Sequence, residues 1–530
     1  MRTIDRRLIS ALAICLVASG CAGSSSTAGR SARTAYATDG TFTMAVTTDL
    51  ANFDPYRGSV FYLAGLAYDS MLNLRPDGKF VSGLADKWSA DSGSATFTLR
   101  PDVTCSDGTP LTARQAAEDI NWVMDLKNKS TQYGANTPTE PLTAAGDDAN
   151  RTVTVTMKNR PFGFLLNTIG LLPIMCGEGL KSPAALKAGS AGTGPFVLEK
   201  IVAGQTYTFT RRKDYKWGPG GATTATPGTP AKVVLKVIEN ETTAANALLT
   251  GQLNLAMATG EDEQRLAGRG LEKIVTAAPN AGLRLNEMAG RVTADNRVRR
   301  ALIRALDVQK IIKVSTGGTG GPATGLVLVE PKPCPDDTVA GQFANFDVGA
   351  AKALLDQAGW TAGSGGVRAK NGKRLTIEMH YRPDLSSFDK PTTEIIASYW
   401  RAIGVDVRIK SETGTTSGET FKTGNWDTYM GLGTAVLPSQ WVPYLSGPNS
   451  PNGTNVGGVH NSDYERLAAK AATMTVPAAC TYWNQAEQAL YRDVDIVPLS
   501  NRVSPYYMWK AQAQTAGYSL PIPTSIRVLK

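Results

Sequence analysis

His380 and His460 are the only histidines in this chain, so any histidine-assisted nucleophile would have to use one of them. No His-Glu-x-x-His or Gly-x-Ser-x-Gly occurs, and no cysteine and histidine share a recognisable catalytic setting. Serines and aspartates are plentiful, which leaves a Ser-His-Asp site open, but both histidines read more simply as satisfied core or surface groups. The cysteines contain no Cys-x-x-Cys, and their spacing fits no zinc site. The run Gly317-Gly318-Thr319-Gly320-Gly321-Pro322 follows a helical pattern instead of a strand and lacks Gly-Lys-Ser/Thr, so it is a helix stop and not a phosphate cradle. Non-covalent binding is the chemistry that fits best, with no catalytic residue, metal or cofactor assigned.

Such a binding site needs a scaffold, and 530 residues are enough for two or three domains with a sizeable core. The formal charge of +9 is spread in short pairs such as Arg211-Arg212 and Arg299-Arg300, with no long basic tract. That pattern argues against nucleic acid and suits an anionic membrane surface better. Arg2, Arg6 and Arg7 precede a short apolar run, Leu8 to Val17, and then Ala18-Ser19-Gly20-Cys21. The run is too short to span a bilayer and reads as an export signal over residues 1–21. Ala-Ser-Gly-Cys resembles a bacterial lipobox. That resemblance implies lipidation of Cys21 and anchoring on the outer face of the cytoplasmic membrane, with plain secretion as the alternative. Residues 22–39, rich in Ser, Thr, Gly and Ala, read as a flexible tether.

Further on, Thr96 to Leu99 alternates as a strand, Asp107-Gly108 marks a turn, and Thr112 caps a helix with an apolar face through Ala116, Ile120 and Val123. With Leu99-Arg100 ahead of it and Asp107-Gly108-Thr109-Pro110-Leu111-Thr112-Ala113 within it, this stretch resembles the signature of extracellular solute-binding proteins of family 5, the peptide and nickel class that feeds ABC importers. Further segments match in family order. They include a helix end at Ala67-Tyr68-Asp69-Ser70-Met71-Leu72, Leu84-Ala85-Asp86-Lys87-Trp88, Gly192-Thr193-Gly194-Pro195-Phe196, Asp214-Tyr215-Lys216-Trp217 and Asp495-Ile496-Val497-Pro498-Leu499. The helical stretch Asp295 to Asp307 belongs to the same series: Val298, Leu302, Ala305 and Leu306 form its packed face, and its arginines read as a solvated face. Pro161-Phe162 is expected to open a short helix carrying Leu165, Leu166 and Ile169. Leu375 to Tyr381, Thr392 to Ile403 and Val405 to Lys410 read as strand, helix and strand, hence a parallel pair.

The resemblance implies an α/β fold of the periplasmic-binding-protein type, two lobes with a cleft and hinge and an extra subdomain in the first lobe. The expected boundaries are lobe I over 40–284 with the insertion at about 76–192, lobe II over 285–497, and a return to lobe I over 498–530. It implies capture of peptides or peptide-like solutes by a monomer that hands them to permease subunits. A siderophore, glycan or metal chelate is the alternative ligand, and a secreted hydrolase the alternative class. The ligand residues it implies are Asp49, Leu50, Asn52 and Phe53 in one loop, Tyr381 and Arg382 after a strand, and Gly433, Thr434, Val436 and Trp441. Arg382 stands where a ligand carboxylate is met. The acid that relatives use for a free amine is missing, since no Asp or Glu lies between Asp427 and Asp463. An exported chain lives where disulfides persist, and Cys105, Cys176, Cys334 and Cys480 allow three pairings. Cys105 with Cys176 and Cys334 with Cys480 is favoured because each pair stays inside one expected domain; free buried thiols are the alternative.

Overall fold

The computed structural model describes residues 35–50, 53–58, 65–182, 184, 186, 191–515 and 521–530. The expected signal, Cys21, the tether as far as residue 34, and Asn52 lie outside the described residues. The end of that tether is corrected. Tyr36 bridges to Leu529, the Ala37 N–H donates to the Val528 carbonyl (2.9 Å), and Asp39 pairs with Arg211 at 2.6 Å. Residues 36–39 are therefore part of the folded body.

Alternating strands and capped helices build the chain. In order they are β1 (Thr41–Val46), β2 (Ala85–Ala90), β3 (Ser94–Leu99), α1 (Ala113–Met124), β4 (Leu142–Asp147), β5 (Thr152–Met157), β6 (Phe196–Val202), β7 (Thr206–Arg211), β8 (Lys232–Val237), α2 (Glu241–Leu249), β9 (Leu255–Met257) and β10 (Glu272–Leu285). There follow α3 (Asn296–Arg304), α4 (Val308–Thr316), α5 (Val348–Gln357), β11 (Thr376–Tyr381), α6 (Asp389–Ala402), β12 (Asp406–Ser411), α7 (Gly414–Thr423), β13 (Thr428–Met430), α8 (Ser462–Ala472), α9 (Cys480–Arg492) and β14 (Ile496–Met508). The main sheet runs β6-β7-β8-β1-β9-β14-β10-β13-β11-β12, with a short Gly321–Pro322 strand also on β14. Within it β11 and β12 pair in parallel, as the strand-helix-strand pattern requires. A separate antiparallel sheet, β2-β3-β5-β4, carries α1 on it. There the Thr112 side chain and Gln115 form a capping box, and Ala116, Ile120 and Val123 are buried as their spacing predicts.

The buried apolar residues form separate cores. One joins β1, β3, α1, β5 to β8 and the C-terminal Ile526 and Val528, with Trp88 half-buried against it. A small neighbour lies under α2. Two others belong to the chain after residue 280, one under α3, α5 and α6 and one under α8 and α9, the latter also receiving Phe164. The long antiparallel strands β10 and β14 run from one side to the other. The far end of β10 pairs with β13 and that of β14 with β9, and the ladder between them shifts register around Ala278 to Gly282. This is a two-lobed α/β architecture of the periplasmic-binding-protein type. Cys105–Cys176 and Cys334–Cys480 are both disulfide-bonded, with Cα separations of 6.1 and 5.2 Å.

Three local expectations are corrected. Ala67 to Leu72 is not a helix end but a turn and a two-residue strand, Asp69–Ser70, paired with Pro173–Ile174. The carbonyls of Leu66 and Ala67 are taken by the Phe196 and Gly194 N–H groups, an approach so close that a Cβ on Gly194 would lie 2.5 Å from the Leu66 oxygen. Pro161 to Thr168 makes turns and only then a short 3-10 helix, Ile169–Leu171, because Gly163 is pressed against the Met474 backbone. Finally, Arg299 is not on a solvated face. It is buried, paired with Glu287 (2.8 Å) and Asp495 (3.1 Å), and donates to the Thr293, Asp493 and Val494 carbonyls. This dense set of partners is what makes a buried guanidinium tolerable.

Candidate ligand-binding cleft

β1 delivers the first expected loop. Asp49 is exposed, and its carboxylate accepts from the Tyr207 hydroxyl and, at 3.2 Å, from the Gly204 N–H. Leu50 and Phe53 are buried in the first core. The Phe53 ring lies 5.6 Å from that of Tyr207, and its carbonyl accepts from the Tyr68 hydroxyl at 2.7 Å. The loop is thereby tied down at both ends by tyrosines of the same lobe.

On the other side, Tyr381 ends β11 with its ring in the second lobe's core. Arg382 follows it, and its fork is already filled by Asp384, with Nε to Oδ1 at 3.1 Å and Nη2 to Oδ2 at 2.6 Å. The segment after β13 turns at Gly431 and Gly433, where φ is +99° and +78°. Thr434 is exposed, the Val436 N–H donates to Gln440 Oε1 at 2.8 Å, and Trp441 is buried with its Nε1 donating to the Leu326 carbonyl at 3.0 Å. Gly433, Thr434, Val436 and Trp441 thus share one corner.

Two residues of β10 that the sequence reading passed over stand at that corner. Arg284 donates from Nη2 to the Leu432 carbonyl (2.7 Å), with its guanidinium over the rings of Trp441 and Tyr444. Asn280 bridges to Gly433 and is buried. The signal for Arg284 was a charged residue at an alternate position between two leucines, Leu283 and Leu285, in a strand.

A cavity of about 1470 Å³ opens between the lobes, with Val329, Glu330 and Val436 on one side and Asn73, Asn136 and Asn167 on the other. Of the expected ligand residues that are described, Val436 alone is among its lining. The lobes touch along its rim. Gln440 Nε2 donates to the Ala135 carbonyl at 3.1 Å, and the Phe164 and Trp483 rings are 6.0 Å apart.

His380 sits on the opposite face of β11 from Tyr381, buried, with Nδ1 and Glu412 Oε1 at 2.7 Å. The Tyr429 hydroxyl donates to the other Glu412 oxygen at 3.2 Å, and burial raises its pKa. Nε2 has no hydrogen-bond partner, and the Glu378 carboxylate stands 3.9 Å away. The ring is therefore held by carboxylates and not aimed at a serine. His460 is exposed. Among the described residues no group of three His, Cys, Asp or Glu is placed to hold a metal ion, and no helix is long and apolar enough to cross a membrane.

Two lobes, two crossing strands and a polar-edged cavity between them define a binding protein of the periplasmic type. The model of the bacterial extracellular solute-binding proteins, family 5 Middle, matches residues 79–454, and the chain belongs to that family. It is similar to Protein XP55 of Streptomyces lividans, 28% identical over 66% of this chain and 61% of that protein, which is less than two thirds of the relative's length. It is also similar to the periplasmic murein peptide-binding protein of Escherichia coli, 24% identical over 82% of this chain and 81% of that one. Among solved structures, a substrate-binding protein from Microbacterium hydrocarbonoxydans complexed with 4-hydroxybenzoate hydrazide is 25% identical. It covers 92% of this chain and 99% of its own, with a TM-score of 0.72.

Proposed function

We propose that this protein is the substrate-binding component of an ABC importer, capturing peptides or peptide-like solutes outside the membrane and handing them to the permease by closing its lobes. One observation carries the reading: two lobes, each with its own core, are joined by β10 and β14, whose ladder is broken by register shifts at the crossing. A broken ladder bends more readily than a regular one, which is what a hinge needs. The peptide class is supported by the murein peptide-binding relative. The lipid anchor at Cys21, export, the monomeric state and the lobe limits belong to the same proposal. So does the ligand-facing role of Asp49, Asn52, Gly433, Thr434 and Val436, with Leu50, Phe53, Tyr381, Arg382 and Trp441 supporting the walls.

The test is a melting-temperature screen over di- and oligopeptides, sugars and metal chelates, followed by calorimetric titration of whatever stabilises the protein. Peptides are expected to stabilise it, and exclusive stabilisation by sugars or chelates would replace the peptide reading. Because no carboxylate lies between Asp427 and Asp463, N-acetylated peptides are expected to bind within about threefold of their free-amine forms, well under the 1.4 kcal/mol that a tenfold change represents. A strict requirement for the free amine would contradict this.

A further inference from the structure

The buried arginines of this protein come with carboxylates. Arg212 has Asp214 at 3.0 Å, Arg299 has Glu287 at 2.8 Å, Arg368 has Asp356 at 2.5 Å and Arg502 has Asp389 at 2.7 Å. Arg284 does not follow the pattern. It is half-buried on β10, and among the described residues no carboxylate lies within ion-pair distance of it. Its guanidinium stands against two adjacent aromatic rings, with Cζ 5.2 Å from the Trp441 ring centroid and 5.9 Å from that of Tyr444. Nη2 donates to the Leu432 carbonyl at 2.7 Å and Nε makes a long bond of 3.4 Å to the Gly431 carbonyl, while Nη1 has no hydrogen-bond partner among the described residues. A Cβ on Gly433 would be 4.0 Å from Nη2, so the absence of a side chain there leaves that edge uncovered.

Asn280 brings a second unused group to the same corner. It is 1% exposed, its carbonyl accepts from the Leu432 N–H, and both polar atoms of its side-chain amide lack a partner. A half-buried cation without a counter-ion and an unpaired buried amide N–H are each costly, and an anionic group that accepts from both the guanidinium and Asn280 Nδ2 relieves the two together.

We propose that Arg284 seats a carboxylate of the ligand, gripped by the free edge of the guanidinium beside the Trp441 and Tyr444 rings, with Asn280 Nδ2 as the second donor. The inference deepens the peptide reading and rests on it for the ligand class, but the cation itself selects for the anion. Arg382, which the family resemblance assigns to a carboxylate, is already neutralised by Asp384.

The test uses acid and amide pairs on the full-length protein: N-acetylated tripeptides ending in a carboxylate or a carboxamide, and phenylacetate against phenylacetamide. The wild type is expected to prefer each acid over its amide by roughly 10- to 100-fold, the range for hydrogen bonds to a charged group. Arg284→Gln is expected to lose that preference and Arg284→Lys to keep part of it. The wild-type ratio decides by itself if the variants fold poorly. Equal affinity for tripeptide acid and amide overturns the role of Arg284 and leaves peptide binding standing, as does a preference that survives in Arg284→Gln. Discrimination of phenylacetate with no tripeptide bound supports Arg284 and removes the peptide reading. Binding of no carboxylate at all overturns both.

Discussion

Asp69 shows how a residue acquires its properties from segments far away in the chain. Its buried carboxylate accepts from the Tyr215 hydroxyl at 2.8 Å and from Trp217 Nε1 at 3.0 Å, joining two motifs that the sequence displays separately. Burial pushes its pKa up to about 7, against the pull of those hydrogen bonds and of Arg212. The folded protein therefore holds a proton that the unfolded chain has released between about pH 4 and 7. Stability from this group is present below the unfolded pKa and is lost as pH rises towards 7, on the order of 4 kcal/mol over the full window. Asp69→Asn is expected to flatten the fall in melting temperature between pH 5 and pH 8, and an unchanged pH profile would show that Asp69 is not its source. The misread Arg299 has the same origin. Its helix marks it as polar, but Asp495, which pairs with it, is 196 residues away and no local pattern reveals it.

At the scale of elements, the signature stretch behaves as its residues prescribe. Gly108 takes a φ of +86° in the turn, the Cys105 N–H donates to the Thr109 carbonyl at 2.7 Å, and the Thr112 box starts α1. The disulfide from Cys105 to Cys176 spans 71 residues and staples this turn to the strand-and-turn region beside Asp69–Ser70. Replacing both cysteines with serine is expected to cost about 2–4 kcal/mol, read as a lower denaturation midpoint of the first lobe. An unaltered midpoint would mean the staple contributes nothing to stability. Capped helices, the parallel strand pair and both cystines were legible because each rests on local periodicity or on a short list of pairings. Pro161 to Thr168 was not legible as turns, since what unwinds it is the Met474 backbone of the other lobe. Arg284 was half-legible: its alternation between leucines was in plain view, but its lack of a carboxylate is a property of the assembled corner.

For the whole molecule, the contact of Gly163 with Met474 makes closure testable without knowing the ligand. A Cβ at position 163 would lie 1.8 Å from the Met474 oxygen, a distance no folded structure accommodates. Gly163→Ala is expected to keep the two rims apart and to lower ligand affinity roughly tenfold or more, equivalent to about 1.4 kcal/mol withdrawn from the closed state. The melting temperature without ligand is expected to fall as Phe164 leaves the core under α8 and α9, and small-angle scattering would report a larger radius of gyration. Wild-type affinity and radius in this variant would show that the rims do not govern closure. The chain's ends bear on the same motion. Tyr36 and Ala37 are laced to Leu529 and Val528, and Val528 belongs to the core of β1 and α1. Anything that grips the polypeptide upstream of residue 35 pulls on that side alone. Under such a pull the half built around α3, α5 and α6 would be the moving jaw and its partner the fixed one.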